Sequence, residues 1–285
     1  MGYLHIDNLY KNQDVLAFKR VYALEKIHGT SAHLRFTNNL LTFFSGGEKH
    51  DKFKACFDEA TLLQGFAAVG HHIVTVYGEA YGGKCQGMSA TYGKELKFIA
   101  FDVRVGDTWL AVPNAAAVVA VLGLIFVPYE LINATVENLD HERDRPSRVA
   151  MLCGCGVDKA SEGIVIRPPF EVTKSNGERI IAKHKGEAFA ETRTTRPVVD
   201  PANQQALDAP RAIADEWVTS MRLGHVMDKM GDELQMSDIP RLIAAMQEDV
   251  LREATGEIVE SRAALKAIGS ATVKLFTAHV KGKLI

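Results

Sequence analysis

The stretch VYALEKIHG, residues 21–29, places a lysine at the end of an apolar segment. The β-branched and aromatic residues before the lysine are typical of a buried strand, where an amine is costly unless it is paired or used in chemistry. A nucleophilic lysine must present its neutral amine, which partial burial and nearby positive charges favour. Gly29 would let the backbone approach a phosphate. The stretch therefore predicts a strand that ends at a candidate nucleophile, Lys26, and the alternative is a surface lysine before a turn.

Four further motifs follow this stretch in order, each on or beside a predicted strand. They are Tyr77-Gly78-Glu79, Phe98-Ile99-Ala100-Phe101-Asp102, Ser161-Glu162-Gly163-Ile164-Val165-Ile166-Arg167 and Ile181-Ala182-Lys183-His184-Lys185. Lys183 and Lys185 are two residues apart, so a strand directs both side chains to one face, where they could hold a triphosphate. His184 points to the opposite face of that strand, and we expect a structural role for it.

The same motifs carry candidate ligands for a metal and for a nucleobase. Glu79, Asp102 and Glu162 supply the hard carboxylate oxygens that magnesium on a phosphate prefers. Phe101, or Phe98 three residues earlier, offers an aromatic face on which a base could stack. Together with the lysines, these residue types indicate a site for a metal-bound nucleotide.

Up to about residue 190, short β-branched and aromatic runs alternate with turn signals. This pattern predicts a mixed α+β domain of mostly antiparallel strands. We expect strands at residues 20–26, 32–36, 40–44, 73–78, 96–105, 108–112, 124–131, 162–167 and 178–185. Helices are expected at residues 52–66 and between Pro113 and Gly123.

The pattern changes after Arg196. Residues 192–210 contain three prolines among polar residues, which is typical of a linker. Beyond it we expect three amphipathic helices, at residues 211–230, from about 238, and at 260–281. The predicted organisation is therefore a β-rich domain at 1–195, a linker at 196–210 and a helical domain at 211–285.

Composition and charge exclude several classes of protein. With a net charge of −2 and a pI near 6.6, the chain has no general basic field, so any nucleic-acid binding must come from a few placed residues. The first residues lack a secretory signal. The longest uncharged apolar run, residues 115–129, is shorter than the roughly 20 residues that span a bilayer. We therefore expect a cytoplasmic protein without a membrane partner.

The ordered motifs resemble those of the covalent nucleotidyltransferases, a superfamily that comprises DNA ligases, RNA ligases and mRNA capping enzymes. The resemblance spans about residues 20–190. His28, where DNA ligases usually have Asp, and the tail ADEWVTSMRLGHV, residues 214–226, are similar to the RNA ligase 2 family. No run of five short strands follows residue 196, as the OB barrel of DNA ligases and capping enzymes would require. The resemblance implies a ligase-type nucleotidyltransferase domain at 1–195, followed by a small all-α domain at 211–285.

The resemblance also implies the chemistry of the site. Lys26 would attack the α-phosphorus of ATP, release pyrophosphate and carry AMP as a phosphoramidate, with Mg²⁺ or Mn²⁺ as the metal. The catalytic residues would be Lys26, Lys183 and Lys185. The nucleotide-binding residues would be Glu25, Lys26, Ile27, His28, Gly29, Glu79, Phe101, Glu162, Lys183 and Lys185. The metal ligands would be Glu79, Asp102 and Glu162.

The activity that the resemblance implies is that of an ATP-dependent RNA ligase. It would act as a monomer and join an RNA 5′-phosphate to a 3′-hydroxyl in a nicked duplex. Two alternatives are an enzyme that acts on DNA ends and a nucleotide- or RNA-binding module without turnover. Residues 197–285 contain 10 Lys+Arg and 13 Asp+Glu, so we expect the helical domain to hold a duplex through few residues, with Arg222, Lys229 and Lys266 as candidates.

The sequence departs from the family pattern at two places. The family usually has Asn two residues after the glycine of the first motif, where this chain has Ser31. The family also usually carries Arg on the strand after the first motif, whereas the stretch FSGGEK, residues 44–49, contains none. Lys49 would replace the charge of that arginine but not its bidentate geometry. Both departures concern the joining step more than the transfer of AMP to lysine.

Overall fold

Two antiparallel sheets form the framework of the first unit of the chain, Met1–Ala188. The computed structural model describes residues 2–194, 196, 198, 206–231 and 234–282. One sheet has four strands, in the order Tyr129–Asn133 (β7), Arg20–Lys26 (β1), Gly163–Arg167 (β8) and Ala182–Lys185 (β9). The other has five, in the order Leu40–Ser45 (β3), Thr30–Thr37 (β2), Ile73–Gly82 (β4), Leu96–Val105 (β5) and Thr108–Trp109 (β6). The predicted α+β class with mostly antiparallel strands is confirmed.

Helices cover one face of the five-stranded sheet. The helices described in this unit are His50–Lys54 (α1), Glu59–Val69 (α2), Ser89–Tyr92 (α3), Val112–Val121 (α4), Val136–Arg143 (α5) and Arg148–Leu152 (α6). Side chains of α1, α2 and α4 pack on alternate residues of the strands, such as Leu34 and Val76, to form the main apolar core. Each fully buried side chain of this size stabilises the fold by about 1.5–3 kcal/mol.

Several predicted elements are shorter or interrupted. The helix expected at residues 52–66 is two helices, because Asp58 accepts hydrogen bonds from the amides of Ala60 and Thr61 and begins α2. The strand expected at 108–112 ends at Trp109, since α4 begins at Val112 with Pro113 in its first turn. The strand expected at 124–131 begins only at Tyr129.

The second unit, Phe189–Ile285, contains helices and no strand among the residues that the structure describes. These helices are Pro210–Trp217 (α7), Ser220–Met230 (α8), Ile239–Glu253 (α9) and Arg262–Gly282 (α10). The helix expected at 211–230 is again two, because Thr219 accepts a hydrogen bond from the Arg222 amide and caps α8. All four helices contribute to one apolar core around the buried indole of Trp217.

The two compact units divide after Ala188, whereas the sequence places the domain boundary after residue 195. Residues on either side of the predicted boundary bond to the helical unit: the Thr194 hydroxyl donates to Glu216 at 2.7 Å, and Arg196 donates to Glu257 at 2.8 Å. Of the predicted linker at 196–210, residues 197 and 199–205 lie outside the described residues. The domain assignment therefore stays a prediction.

Among the residues described, no helix combines the length and the hydrophobicity needed to cross a bilayer.

Candidate active site

Four side chains meet where β1 ends and β8 begins. Glu162 Oε2 lies 2.8 Å from Lys26 Nζ and 3.4 Å from His28 Nδ1, and Glu162 Oε1 lies 3.2 Å from Lys185 Nζ. The strand register explains this grouping, because Lys26 pairs with Gly163 and Gly163 pairs with Lys185. The structure thus brings together four of the residues that the sequence selected from three separate motifs.

Two glycines allow the backbones at this site to approach closely. Gly163 has a φ of +132°, and a Cβ atom there would lie 2.1 Å from the carbonyl oxygen of His184. A Cβ atom on Gly29 would lie 2.3 Å from the carbonyl oxygen of Ala80 and 2.8 Å from Cγ of Glu79. No side chain fits at either position without moving backbone. The Gly29 contact also sets the loop after the candidate nucleophile against β4, so Glu79 borders the same site.

Glu162 is buried to 1% exposure and stays ionised. Burial alone would raise the pKa of this carboxyl group, but the ammonium groups of Lys26 and Lys185 and a hydrogen bond from His28 hold the pKa well below its ordinary value. Among the described residues Oε1 of Glu162 has no hydrogen-bond partner, although the Lys185 ammonium lies 3.2 Å away and forms an ion pair with it. A buried, ionised oxygen of this kind suits a hard metal ion.

Lys183 is buried, and both its backbone amide and its backbone carbonyl make hydrogen bonds. Its amide donates to the carbonyl of Asp7 and its carbonyl accepts from the amide of Leu9, each at 2.8 Å. Since Lys183 and Lys185 alternate along β9, their side chains lie on one face of the strand.

His184 points to the other face of β9, where it has a structural environment. Its Nε2 lies 2.7 Å from Asp140 Oδ1 and 2.9 Å from a guanidinium nitrogen of Arg143. Burial lowers the pKa of this imidazole, against the opposing effect of its hydrogen bond to Asp140. These contacts agree with the structural role expected for His184.

Glu25 holds a helix end rather than facing the cluster around Glu162. Its carboxylate accepts a hydrogen bond from the Ser147 hydroxyl at 2.6 Å and from the Arg148 amide at 3.0 Å, at the start of α6. Burial raises the pKa of Glu25, and these hydrogen bonds oppose the rise. Ile27 is likewise buried, in an apolar cluster with residues from both sheets. Glu25 and Ile27 were both predicted to bind the nucleotide, and the side chains of both make their contacts inside the protein.

A β-bulge in β5 sets the position of Phe101. The bulge makes Phe101 an extra residue opposite β4. Its ring is partly exposed and meets the ring of Tyr3 edge-on, with centroids 4.8 Å apart. Phe98 is buried in the main core against Phe57, with centroids 5.4 Å apart. Of the two rings that the sequence offered for stacking, only Phe101 has an accessible surface to offer a base.

Asp102, predicted as a metal ligand, is not brought to the cluster around Glu162. Its carboxylate is 0% exposed and accepts hydrogen bonds from Arg167 at 3.0 Å, Arg179 at 2.7 Å and the Tyr3 hydroxyl at 2.6 Å. These donors occupy both oxygens. Arg167 lies at the far end of β8 from Glu162, about 16 Å away along the strand. In this arrangement Asp102 holds two arginines instead of a metal.

The contacts of Asp102 belong to a buried network that the sequence analysis missed. Glu171 bonds to Arg167 and lies 2.7 Å from Arg179, so two carboxylates balance two guanidinium groups. The Arg179 guanidinium also lies 4.1 Å from the ring centroid of Trp109. The only available signal was Arg167 itself, a charge at the end of the apolar motif SEGIVIR.

In the helical unit, one of the three residues expected to contact a duplex is buried. Arg222 is 1% exposed, donates to Asp249 at 2.6 Å and donates to the Trp217 carbonyl at 3.0 Å. Its guanidinium is therefore part of the core of this unit and does not reach a duplex. Lys229 lies 2.9 Å from Asp249 with an exposed side chain, and Lys266 is exposed, so these two candidates remain.

The chain matches the sequence model of one known protein family. The sequence model of the RNA ligase family matches residues 19–185, a range that contains the nine strands described above. No curated protein sequence matches the chain.

Solved structures of an RNA ligase from Naegleria gruberi are similar to this chain. The ligase with PPi has a TM-score of 0.52 at 14% identity, over 66% of this chain and 57% of the ligase. A lysine-to-alanine mutant with ATP and Mn has a TM-score of 0.53 at 14% identity, and a lysine-to-methionine mutant with AMP and Mn has 0.53 at 13%, with the same coverage. The chain thus matches little more than half the length of these ligase chains. The likeness shows a ligase-type nucleotidyltransferase fold.

Proposed function

This chain belongs to the RNA ligase family, and from that premise we propose that it is an ATP-dependent RNA ligase that carries AMP on Lys26. First, the Lys26 ammonium loses a proton to solvent and the neutral amine attacks the α-phosphorus of ATP; a P–N bond forms, pyrophosphate leaves and a second amine proton is released. Next, an oxygen of an RNA 5′-phosphate attacks that phosphorus, the P–N bond breaks and the amine is released. Last, an RNA 3′-hydroxyl attacks the activated 5′-phosphate and AMP leaves.

The observation that carries the proposal is the pair of ammonium groups, Lys26 and Lys185, within 3.2 Å of the single carboxylate Glu162. Since the pKa of Glu162 is held low, its carboxylate is a poor base and a strong holder of cations. We assign it to positioning and charge, not to proton removal. Lys183 and Lys185 would stabilise the charge that develops on the α-phosphate, where such contacts act most strongly.

The residues present also fit a divalent metal ion. Glu162, whose buried Oε1 has no hydrogen-bond partner among the described residues, and Glu79 beside Gly29 would hold it. Bound there, Mg²⁺ or Mn²⁺ supplies positive charge to the phosphates. Phe101 would stack on the adenine. The solved structures of the Naegleria gruberi ligase with ATP and Mn support the use of both ligands.

For the helical domain, predicted at 211–285, we propose a grip on the RNA duplex. Lys229 and Lys266 are the exposed candidates for phosphate contacts. Replacing each with Ala should weaken sealing of a nick and leave formation of lysyl-AMP unchanged. Equal loss of both activities would assign this domain to the ATP site instead.

The first experiment tests the covalent step. The protein is incubated with ATP labelled on the α-phosphate and Mg²⁺, denatured, and digested to locate the label. Retained label on the peptide that contains Lys26, stable to alkali and released by acid, is the expected result. Label from γ-phosphate should not be retained. If no α-label is retained after denaturation, the remaining interpretation is a nucleotide- or RNA-binding module without turnover.

The second experiment tests the substrate. A matched set of nicked duplexes, with RNA or DNA on each side of the nick and a 5′-phosphate at the nick, is incubated with ATP and Mg²⁺. We expect sealing where both strands that meet at the nick are RNA. Equal sealing of the all-DNA nick would reassign the protein to polynucleotide ends in general.

A further inference from the structure

We infer that Phe44 and His33 form a stacking site for a nucleobase of the polynucleotide end held at the candidate active site. The inference rests on the proposed ligase function and adds a substrate contact to it. Phe44 on β3 and His33 on β2 are direct partners in the antiparallel register. Their rings are stacked, with centroids 4.9 Å apart and planes 24° apart.

The ring pair lies on the face of the five-stranded sheet opposite the main core. Ala32, Leu34 and Phe36 of β2 point into that core, so His33 and its alternate neighbours point the other way. Phe44 is 43% exposed, a large value for a phenylalanine. Because one face of its ring is supported by His33, the ring is already ordered and its outer face is accessible to a third ring.

The position of the pair next to the candidate active site favours a substrate over an unrelated ligand. Along β2 and β4, Ser31 pairs with Glu79, and two residues further His33 pairs with Tyr77. The step between these rows is about 7 Å along a strand. Gly29 contacts Glu79, so the loop after Lys26 lies beside the Ser31–Glu79 pair. The stacked rings belong to the neighbouring His33–Tyr77 pair on the same face of the sheet. A base close to the reacting end of a strand would reach Phe44.

The chemistry of the pair suits a flat, neutral partner. Burial and neighbouring positive charges lower the pKa of His33 to about 4, so at neutral pH its imidazole is an uncharged aromatic ring. Arg35, two residues along the same face, is exposed and donates to the Thr37 hydroxyl at 3.2 Å. Its guanidinium supplies positive charge for a backbone phosphate beside the stacked base.

The aromatic surface also continues beyond the pair. The ring of Tyr77 lies 5.6 Å from His33 and 5.2 Å from Trp109, measured between centroids. Stacking on aromatic rings accepts any base and needs no strong positive field. It therefore suits a chain whose net charge is −2 and whose stretch FSGGEK, residues 44–49, contains Phe44 and no arginine.

The test compares Phe44→Ala with the wild type in single-turnover sealing of a nick whose 5′-phosphate already carries AMP. Since loss of one stacked base costs about 1–3 kcal/mol, the rate or affinity should fall roughly 5- to 150-fold. Phe44→Trp should restore it. Leu40→Ala is the matched control, because Leu40 is an exposed apolar residue on the same face of β3. Formation of lysyl-AMP by Phe44→Ala reports that the domain is folded.

Substrates without a base then locate the contact. One base at a time is removed from the three nucleotides on each side of the nick. At one position the difference between Phe44→Ala and wild type should shrink to less than about twofold, which identifies the strand and nucleotide that stack. Wild-type sealing by Phe44→Ala, or a difference that persists with every such substrate, would overturn the inference.

A separate readout distinguishes this inference from the proposed function. If the wild type forms no lysyl-AMP and seals no nick, the proposed function fails. Binding of a nicked duplex with 2-aminopurine near the nick then tests the stack directly. Quenching of its fluorescence by the wild type and not by Phe44→Ala supports the site, whereas equal quenching by both overturns it.

Discussion

The two ends of β8 carry charged clusters of opposite character. At one end, Glu162 is a single carboxylate beside Lys26 and Lys185, and the Lys26 side chain is 24% exposed. At the other end, Arg167 belongs to a network in which two guanidinium groups are balanced by two carboxylates, formed by Arg179, Asp102 and Glu171. Burial of charge is common to both ends. The ion pairs separate the ends: two ammonium groups contact one carboxylate at the first, whereas two guanidinium groups contact two carboxylates at the second, and a substrate with negative charge requires the former arrangement.

The strongest test of the first end is Lys26→Ala. We expect covalent AMP labelling to fall below detection, because no other side chain replaces the amine that forms the P–N bond. Lys94→Ala, an exposed lysine outside the cluster, is the control and should label like the wild type. Normal labelling of Lys26→Ala would show that Lys26 is not the nucleophile. The cluster at the first end of β8 would then have no assigned chemistry.

The corresponding test of the second end is Arg167→Ala. This change leaves Asp102 and Glu171 buried without one of their partners, so the free energy of unfolding should fall by about 3–5 kcal/mol in urea titrations. Arg104→Ala is the control, because Arg104 pairs with the fully exposed Asp107 and should cost less than about 1 kcal/mol. A stable Arg167→Ala protein that has lost labelling would make the network part of the active site.

Lys185→Ala sharpens the difference between the ends. The rate of lysyl-AMP formation should fall by about 3–4 kcal/mol in transition-state free energy, or roughly 10²–10³-fold. The free energy of unfolding should fall less than in Arg167→Ala, because the buried Glu162 keeps the ammonium of Lys26 and the imidazole of His28 beside it. Lys183→Ala should slow the same step. If both variants label normally, the two lysines of β9 have no part in the transfer of AMP.

The smallest expected effect is a pH dependence of stability at His33. Its pKa in the folded protein is about 4, below the usual 6.5, so the unfolded chain binds the proton first as the pH falls. The stability that depends on the neutral ring is therefore complete above pH 6.5 and is lost between pH 6.5 and 4. Between pH 6.5 and 5, the free energy of unfolding measured in urea titrations should fall by about 1–2 kcal/mol less for His33→Phe than for the wild type. Parallel curves for the two proteins would contradict the lowered pKa.

Sequence reasoning predicted the parts of this site that depend on local rules. The bounds of β1 and β5 agree with the pattern of β-branched and aromatic residues, and Lys26, Glu162 and Lys185 meet because each stands at a strand end. Alternation along β9 separated His184 from the two lysines. These relations need only the period of a strand and the order of motifs.

The parts that the sequence did not predict depend on distant partners. Asp102 was assigned to a metal because nothing in the sequence reveals that Arg167 and Arg179, 65 and 77 residues away, occupy its oxygens. The bulge that sets Phe101 apart from the regular alternation of β5 lies opposite Tyr77 and Gly78, so the glycine at the bulge stands on the partner strand β4 and not beside Phe101. The breaks at Asp58 and Thr219 were missed because the apolar period continues through both caps.

Glu25 has a consequence for how inactive variants of this protein are interpreted. Its carboxylate anchors the first turn of α6 through Ser147 and Arg148, while Lys26, the next residue, points to the opposite face of β1. A genetic screen for loss of ligation will recover changes at both positions. At Lys26 they remove the reacting atom, whereas at Glu25 they release a helix and let the strand that bears the reacting atom shift. Two adjacent codons will score alike in such a screen for unrelated physical reasons.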